Sequence, residues 1–69
     1  MEYVVIIERG EEGFGAYVPD LPGCVAAAAT QEEVRHLISE AIQLHVEDLR
    51  SQGQSVPMPT SSTELVRVA

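Results

Sequence analysis

Apolar and β-branched side chains dominate three short stretches near the start of the chain. The first spans residues 2–9, the second residues 14–19 and the third residues 24–29. Such stretches, bounded by glycine- and proline-containing segments, are typical of β-strands. Residues 10–13, with the sequence Gly-Glu-Glu-Gly, predict the turn of a hairpin between the first two strands. The pattern therefore predicts a three-stranded antiparallel meander.

After Thr30, the apolar residues recur every three or four positions instead of every two. Thr30 and Glu33 form a capping box, which predicts a helix that begins at Gln31. The helix is expected to run to Ser51, with Gly53 as its stop. Its predicted apolar face comprises Val34, Leu37, Ile38, Ala41, Ile42, His45 and Leu49.

Residues 63–68 alternate again and predict a last strand at a sheet edge. The element order is then βββαβ, an α+β fold with one helix packed on one face of a small antiparallel sheet. No repeat, linker or change in composition divides the chain. Residues 1–69 are therefore interpreted as a single domain.

The segment around Pro22 predicts a tight turn between the second and third strands. Leu21 precedes a proline and favours an extended backbone. Pro22 and Gly23 suit the central positions of a type II turn, because proline presets φ and glycine supplies a positive φ.

The predicted strands are apolar on both sides, and one helix covers only one of them. Residues 3, 5 and 7 point one way and residues 4 and 6 the other. A chain of 69 residues is also short for a self-sufficient core. These observations favour a homo-oligomer or a protein partner, although a plain low-volume core is an equally good explanation of the alanines at positions 26–29.

The charge of the chain restricts its partners. Eleven acidic residues stand against four arginines, for a formal net charge of −7. This disfavours direct binding of nucleic acid, which depends on clustered basic side chains. It favours a basic protein partner, and equally fits acids that merely keep a small domain in solution.

No residue pattern indicates an active site. His45 is expected on the apolar helical face and His36 on the solvated face, while Cys24 has no nearby group that would activate a thiolate. The two histidines lie nine residues apart, and the single cysteine gives no zinc spacing. We therefore expect no catalytic residue, no metal and no cofactor.

The sequence motif Tyr-Val-Pro-Asp-Leu-Pro-Gly-Cys at residues 17–24 resembles that of the HicB-like antitoxin family of HicAB-type toxin–antitoxin systems. The downstream Glu40-Ala41-Ile42 and Val56-Pro57-Met58-Pro59 are similar to that family as well. The resemblance implies a domain like a trimmed RNase H fold. Nucleases of that fold use converging carboxylates, and Glu8, Asp20 and Glu40 form such a set only loosely, so nuclease activity is not expected.

The resemblance also implies a partner, a small basic ribonuclease similar to the HicA toxins, which cleave mRNA and are neutralised by the antitoxin. Family members usually carry a C-terminal DNA-binding domain, and this chain is expected to be a short form without one. The alternative is an orphan HicB-like oligomeric module with no enzymatic activity. The expected partner-binding residues lie in loops or beside them, where function is often found: Glu11, Glu12 and Asp20 for steering, Tyr17 and Leu21 for affinity.

The sequence shows no signal peptide and no run of about eighteen apolar residues. A soluble cytoplasmic protein without membrane contact is therefore expected.

Overall fold

The computed structural model describes residues 1–69 as a three-stranded sheet with one long helix on one face. The strands are β1 (Ile6–Arg9), β2 (Phe14–Tyr17) and β3 (Val25–Ala28), and the helix is α1 (Gln31–Ser51). The sheet order is β1-β2-β3, and both strand pairs are antiparallel. The α+β class and the single helix packed on the sheet are confirmed.

The first strand is shorter than the sequence pattern predicted. Ile6 is opposite Tyr17, and after Tyr17 the chain leaves the ladder to form the turns around Leu21. Residues 2–5 therefore have no strand to pair with, although their side chains still reach the core. Tyr3 and Val5 both pack against it.

The predicted type II turn is present. The amide of Cys24 donates to the carbonyl of Leu21 at 3.0 Å, and Gly23 has φ +84°. A second turn precedes it, because the amide of Leu21 donates to the carbonyl of Val18 at 3.1 Å. These two turns bring Val18, Leu21 and Cys24 together in the core.

The core lies between α1 and one face of the sheet. Seven side chains are buried there, and all are apolar or cysteine: Ala16, Val18, Leu21, Cys24, Val34, Ile38 and Val46. Among them, Leu21 and Val34 are completely buried.

The buried face of α1 differs from the predicted one at two positions. Leu37 was expected inside and is 41% exposed, whereas Val46 was not expected and is buried. Val46 borders the same concavity as Tyr3. The N-terminal segment therefore covers a part of the helix that the three strands do not reach. The periodicity of the helix alone could not indicate this contact.

Both ends of α1 are capped. At the N-terminus, the amide of Glu33 donates to Thr30 Oγ1 at 3.1 Å, as the capping box predicts. The reciprocal bond differs, since Thr30 Oγ1 donates to the Glu33 carboxylate at 3.2 Å. At the other end Gly53 has φ +71°, and its amide donates to the carbonyl of Arg50.

The predicted fourth strand is absent, and this part of the expected element order is wrong. Residues 63–68 pair with no strand, and Leu65, Val66 and Val68 are 100%, 76% and 87% exposed. The chain before them, residues 56–61, crosses the end of the sheet, and we call it the C-terminal strap. Val56 packs against the core, and the Tyr3 hydroxyl donates to the carbonyl of Pro57. Anchoring of the strap directs the following residues away from the sheet.

Candidate functional site

The side of the sheet that α1 does not cover is partly exposed and largely apolar. Ile6, Tyr17 and Val25 are directly opposite one another and form a row across the three strands. In the next row on the same side, Glu8, Gly15 and Ala27 are aligned. We call these six residues the open sheet face. Val25 is 64% exposed and Tyr17 41% exposed, so the prediction of a second apolar sheet side is confirmed.

The predicted steering residues Glu11 and Glu12 lie at the tip of the β1–β2 hairpin. Both are exposed, and the loop is closed by a 2.7 Å hydrogen bond from the amide of Gly10 to the carbonyl of Gly13. A shallow concavity at this end of the sheet is lined by Glu8, Glu12 and Arg9 among others. Two carboxylates therefore border the hairpin end of the open sheet face.

Asp20 lies at the opposite end, where its carboxylate holds the C-terminal strap. Oδ2 accepts from the amides of Thr60 and Ser61 at 3.1 and 3.0 Å, and Oδ1 accepts from their hydroxyls at 3.0 and 2.9 Å. The backbone hydrogen bond from Ser61 lowers the pKa of Asp20, the hydroxyls and Thr60 add to the effect, and desolvation opposes it. The side chain expected to steer a partner thus links two segments forty residues apart.

We expect Asp20→Asn to release the strap. Asparagine replaces one carboxylate oxygen with an NH₂ group, which cannot accept the two hydrogen bonds that this oxygen accepts from Thr60 and Ser61. The lowered pKa means that the carboxylate stabilises the folded chain above its ordinary pKa of 3.8. This stabilisation disappears as the pH falls through the still lower pKa of the folded state. In NMR titrations, the amide shifts of Thr60 and Ser61 should move together with a midpoint below 3.8. Asp20→Asn should abolish that titration, and a variant whose Thr60 and Ser61 amides still titrate like those of the unaltered chain would contradict the assignment.

Leu21 is not at the surface, and the expectation that it contacts a partner directly is corrected here. Its side chain is completely buried in the core between the two turns. An apolar residue in a loop can either contact a partner or pack into the core and hold the loop in place, and the sequence alone does not distinguish the two roles. Of the five predicted residues, Glu11, Glu12 and Tyr17 remain available at the surface, while Asp20 and Leu21 hold the fold together.

The candidates for chemistry lie apart from one another. Cys24 is buried, and desolvation raises the pKa of its thiol. His36 Nε2 lies 2.9 Å from Glu40 Oε1 on the exposed side of α1. His45 is half-buried beside a shallow concavity near Cys24. No group of three histidine, cysteine or carboxylate side chains converges in a way that could hold a metal ion.

The three carboxylates of the nuclease alternative also stay separate. Glu8 lies on the open sheet face, Asp20 is bound to the strap, and Glu40 is paired with His36 on the outer side of the helix.

The outer side of α1 carries a feature that the sequence interpretation missed. Leu44 is 65% exposed and follows the partly exposed Leu37 by seven residues, or two helical turns. Acidic side chains surround this pair: Glu33, Glu40, Glu47 and Asp48. The exposure of Leu44 is not part of the apolar periodicity, which is why the pattern gave no sign of it.

Comparison with known proteins assigns this arrangement to a family. A family model described as the HicB_like antitoxin of bacterial toxin-antitoxin systems matches residues 3–68. The chain belongs to the HicB-like antitoxin family. The match includes the turn motif, the helix and the strap, so the resemblance based on residues 17–24 is confirmed.

Individual relatives support the same assignment. The HicB-like chain is 44% identical over 46 residues to a UPF0150 protein of Helicobacter pylori, covering 67% of this chain and 64% of that protein. It is 35% identical over 57 residues to an uncharacterized 14.9 kDa protein of Haemophilus phage HP1, covering 83% of this chain but 43% of the phage protein. The chain thus spans less than two thirds of the length of these two relatives.

A solved structure shares the fold. The HicB-like chain aligns with a chain of the HicA3 and HicB3 toxin-antitoxin complex with a TM-score of 0.73 and 33% identity. The alignment covers 87% of this chain and 70% of the other.

A separate structural finding is that α1 is too polar along its length to cross a membrane.

Proposed function

We propose that this protein is an antitoxin that binds and neutralises a small, basic, mRNA-cleaving toxin of the HicA type. The observation that carries the proposal is the structural match to a chain of a HicA3 and HicB3 complex, at 33% identity. Membership of the HicB-like antitoxin family supports the same role. Neutralisation would follow if the antitoxin covered the catalytic surface of the toxin.

The open sheet face and the hairpin tip have the composition of a binding surface for such a partner. Tyr17 lies in the middle of the apolar row, and aromatic side chains are common energetic centres of protein interfaces. Glu11 and Glu12 lie near one end of this face and would form an acidic rim. A rim of one charge sign steers an oppositely charged partner and excludes water around an apolar centre.

The same proposal covers the rest of the biochemical role. The protein acts by binding rather than by catalysis, and it uses no cofactor or metal. Its net charge of −7 makes a direct nucleic-acid partner unfavourable. We further propose a homo-oligomer that works in the cytoplasm, where its mRNA-cleaving partner would act.

We expect the two kinds of contact residue to affect different rate constants. Glu11→Gln with Glu12→Gln should slow association with the toxin and flatten its dependence on salt, because rim charges act mainly before contact. Tyr17→Ala should instead speed dissociation, by a factor of about ten for a loss of about 1.4 kcal/mol. Surface-binding kinetics at low and high salt measure both effects.

A matched control is Glu40→Gln with Glu47→Gln, which also removes two charges, because both acids are exposed on the outer side of α1 and lie outside the hairpin and the sheet. If this control slows association as much as the hairpin variant, then total charge and not the hairpin steers the partner. If no basic ribonuclease binds the unaltered chain, the antitoxin proposal fails. The exposed apolar row then favours the second candidate, an orphan oligomeric module.

A further inference from the structure

The β1 edge of the sheet leaves part of the core open. The strand β1 pairs with β2 on one side only, so the backbone groups on its other side are free. The helix α1 packs mainly on β3 and β2 and only lightly on β1. A groove therefore runs between the β1 edge and α1. It is lined by Val5, Ile7, Ile38 and Ile42, with Arg35 and Ser39 at its margin, and we call it the β1 groove.

The tail of the chain has the properties of the strand that this groove lacks. Residues 63–68 alternate, with Val66 and Val68 on one side and Leu65 and Arg67 on the other. All four are exposed, and Leu65 is completely so. An exposed, valine-rich segment of this length is a typical candidate for addition to a sheet edge.

The tail does not reach the β1 groove of its own chain. Tyr3 precedes β1 and binds Pro57, while Asp20 follows β2 and binds Thr60 and Ser61. Because β1 and β2 are antiparallel, both contacts lie at the same end of the sheet. The strap therefore runs from the β1 side towards the β2 side, and the tail starts its course directed away from its own β1 edge.

We propose that residues 63–68 of one copy form the fourth strand on the β1 edge of a second copy. Val66 and Val68 would enter the β1 groove, while Leu65 and Arg67 would come to the same side as Ile6 and Glu8. There Ile6 offers an apolar neighbour for Leu65, and Glu8 offers an opposite charge for Arg67. Such pairs are the complementarity expected across two strands. A reciprocal exchange of tails gives a closed two-fold dimer.

Neither the outer side of α1 nor the open sheet face is well suited to a contact between two copies, which favours the tail. The outer side of α1 carries Glu33, Glu40, Glu47 and Asp48, which would repel the same acids on a second copy. The open sheet face has six residues, whereas a standard interface takes about 20–30 residues from each partner. The tail and the β1 groove supply additional apolar surface.

The test compares tail and groove variants of the full chain by sedimentation equilibrium. The unaltered chain should sediment at twice its mass of 7.5 kDa. Val66→Asp with Val68→Asp should weaken self-association about tenfold or more, as expected when two buried valines are lost. Ser39→Arg, at the margin of the groove, should do the same from the other side. Leu44→Asp is the matched control, since this exposed leucine lies outside the groove, and it should leave the mass unchanged.

A mixed-label NMR experiment tests whether the strand comes from the second copy. One copy carries a spin label at Ala69→Cys in a Cys24→Ala background, and the other copy carries only ¹⁵N. Broadening of β1 amides in the ¹⁵N copy supports the exchange. A monomeric unaltered chain, a dimer that survives the Val66 and Val68 changes, or β1 amides of the ¹⁵N copy that show no broadening would overturn it. The inference rests on the oligomer part of the proposed function, and a monomer that still inhibits a toxin would leave the antitoxin role intact.

Discussion

Leu21→Ala should destabilise the protein by about 2–5 kcal/mol, the usual cost of truncating a buried leucine. The side chain is completely buried, and a single core in a chain of this size rarely supplies more than roughly 3–5 kcal/mol. The variant should therefore be largely unfolded at room temperature. Circular dichroism and urea titration measure this directly.

The control for Leu21→Ala is Leu44→Ala, which removes the same atoms from a side chain that is 65% exposed. This variant should unfold at nearly the same urea concentration as the unaltered protein. Tyr17→Ala should also keep the fold, so a binding defect in that variant reports on the partner surface. If Leu21→Ala unfolds at the urea concentration of the unaltered protein, Leu21 does not have the core role assigned to it.

Gly23→Val should destabilise the protein by about 1–3 kcal/mol through the backbone alone. Gly23 has φ +84°, and an added Cβ would meet no atom within 4 Å. The cost therefore comes from the left-handed conformation, which β-branched residues rarely adopt, and the added Cβ itself contributes no close contact. Thermal unfolding monitored by circular dichroism gives the change in midpoint.

Gly23→Asn provides the comparison that isolates this cause. Asparagine tolerates the left-handed region better than other non-glycine residues, so its midpoint should lie between those of glycine and valine. Equal midpoints for the asparagine and valine variants would show that side-chain shape is irrelevant and that the turn assignment is at fault.

Local signals with a defined backbone consequence were sufficient to predict much of the fold. Pro22-Gly23 specified a turn type, and the turn is present. Thr30 specified a helix start, and α1 begins at the next residue. These predictions succeed because each depends on a few neighbouring residues and on φ/ψ preferences that tertiary contacts do not override.

Predictions that depended on distant partners were less successful. Residues 63–68 have the alternation of a strand, but a strand exists only where another strand pairs with it. The hydrogen bonds of Asp20 to residues forty positions away divert this segment, and no local pattern could reveal them. Val46 is buried for a similar reason, because it lies beside Tyr3 of the N-terminal segment, whereas Leu37 lies on the opposite border of the helical face and is exposed.

The candidate site was predictable only in part. Charge and alternation indicated an apolar sheet side with acidic loops, and Tyr17, Glu11 and Glu12 are found there. The sequence could not separate surface loop residues from residues that hold the loop in place. Asp20 and Leu21 belong to the second kind, and the Leu-Pro-Gly motif is thus a structural support beside the proposed binding surface.

The most direct test of the antitoxin role is inhibition of mRNA cleavage by a purified HicA-type toxin as this protein is titrated in. Our account predicts that cleavage falls to background once the antitoxin is in molar excess, that the Glu11→Gln and Glu12→Gln variant needs longer preincubation, and that the protein alone cleaves nothing. Full cleavage at every concentration of the folded protein would contradict the account.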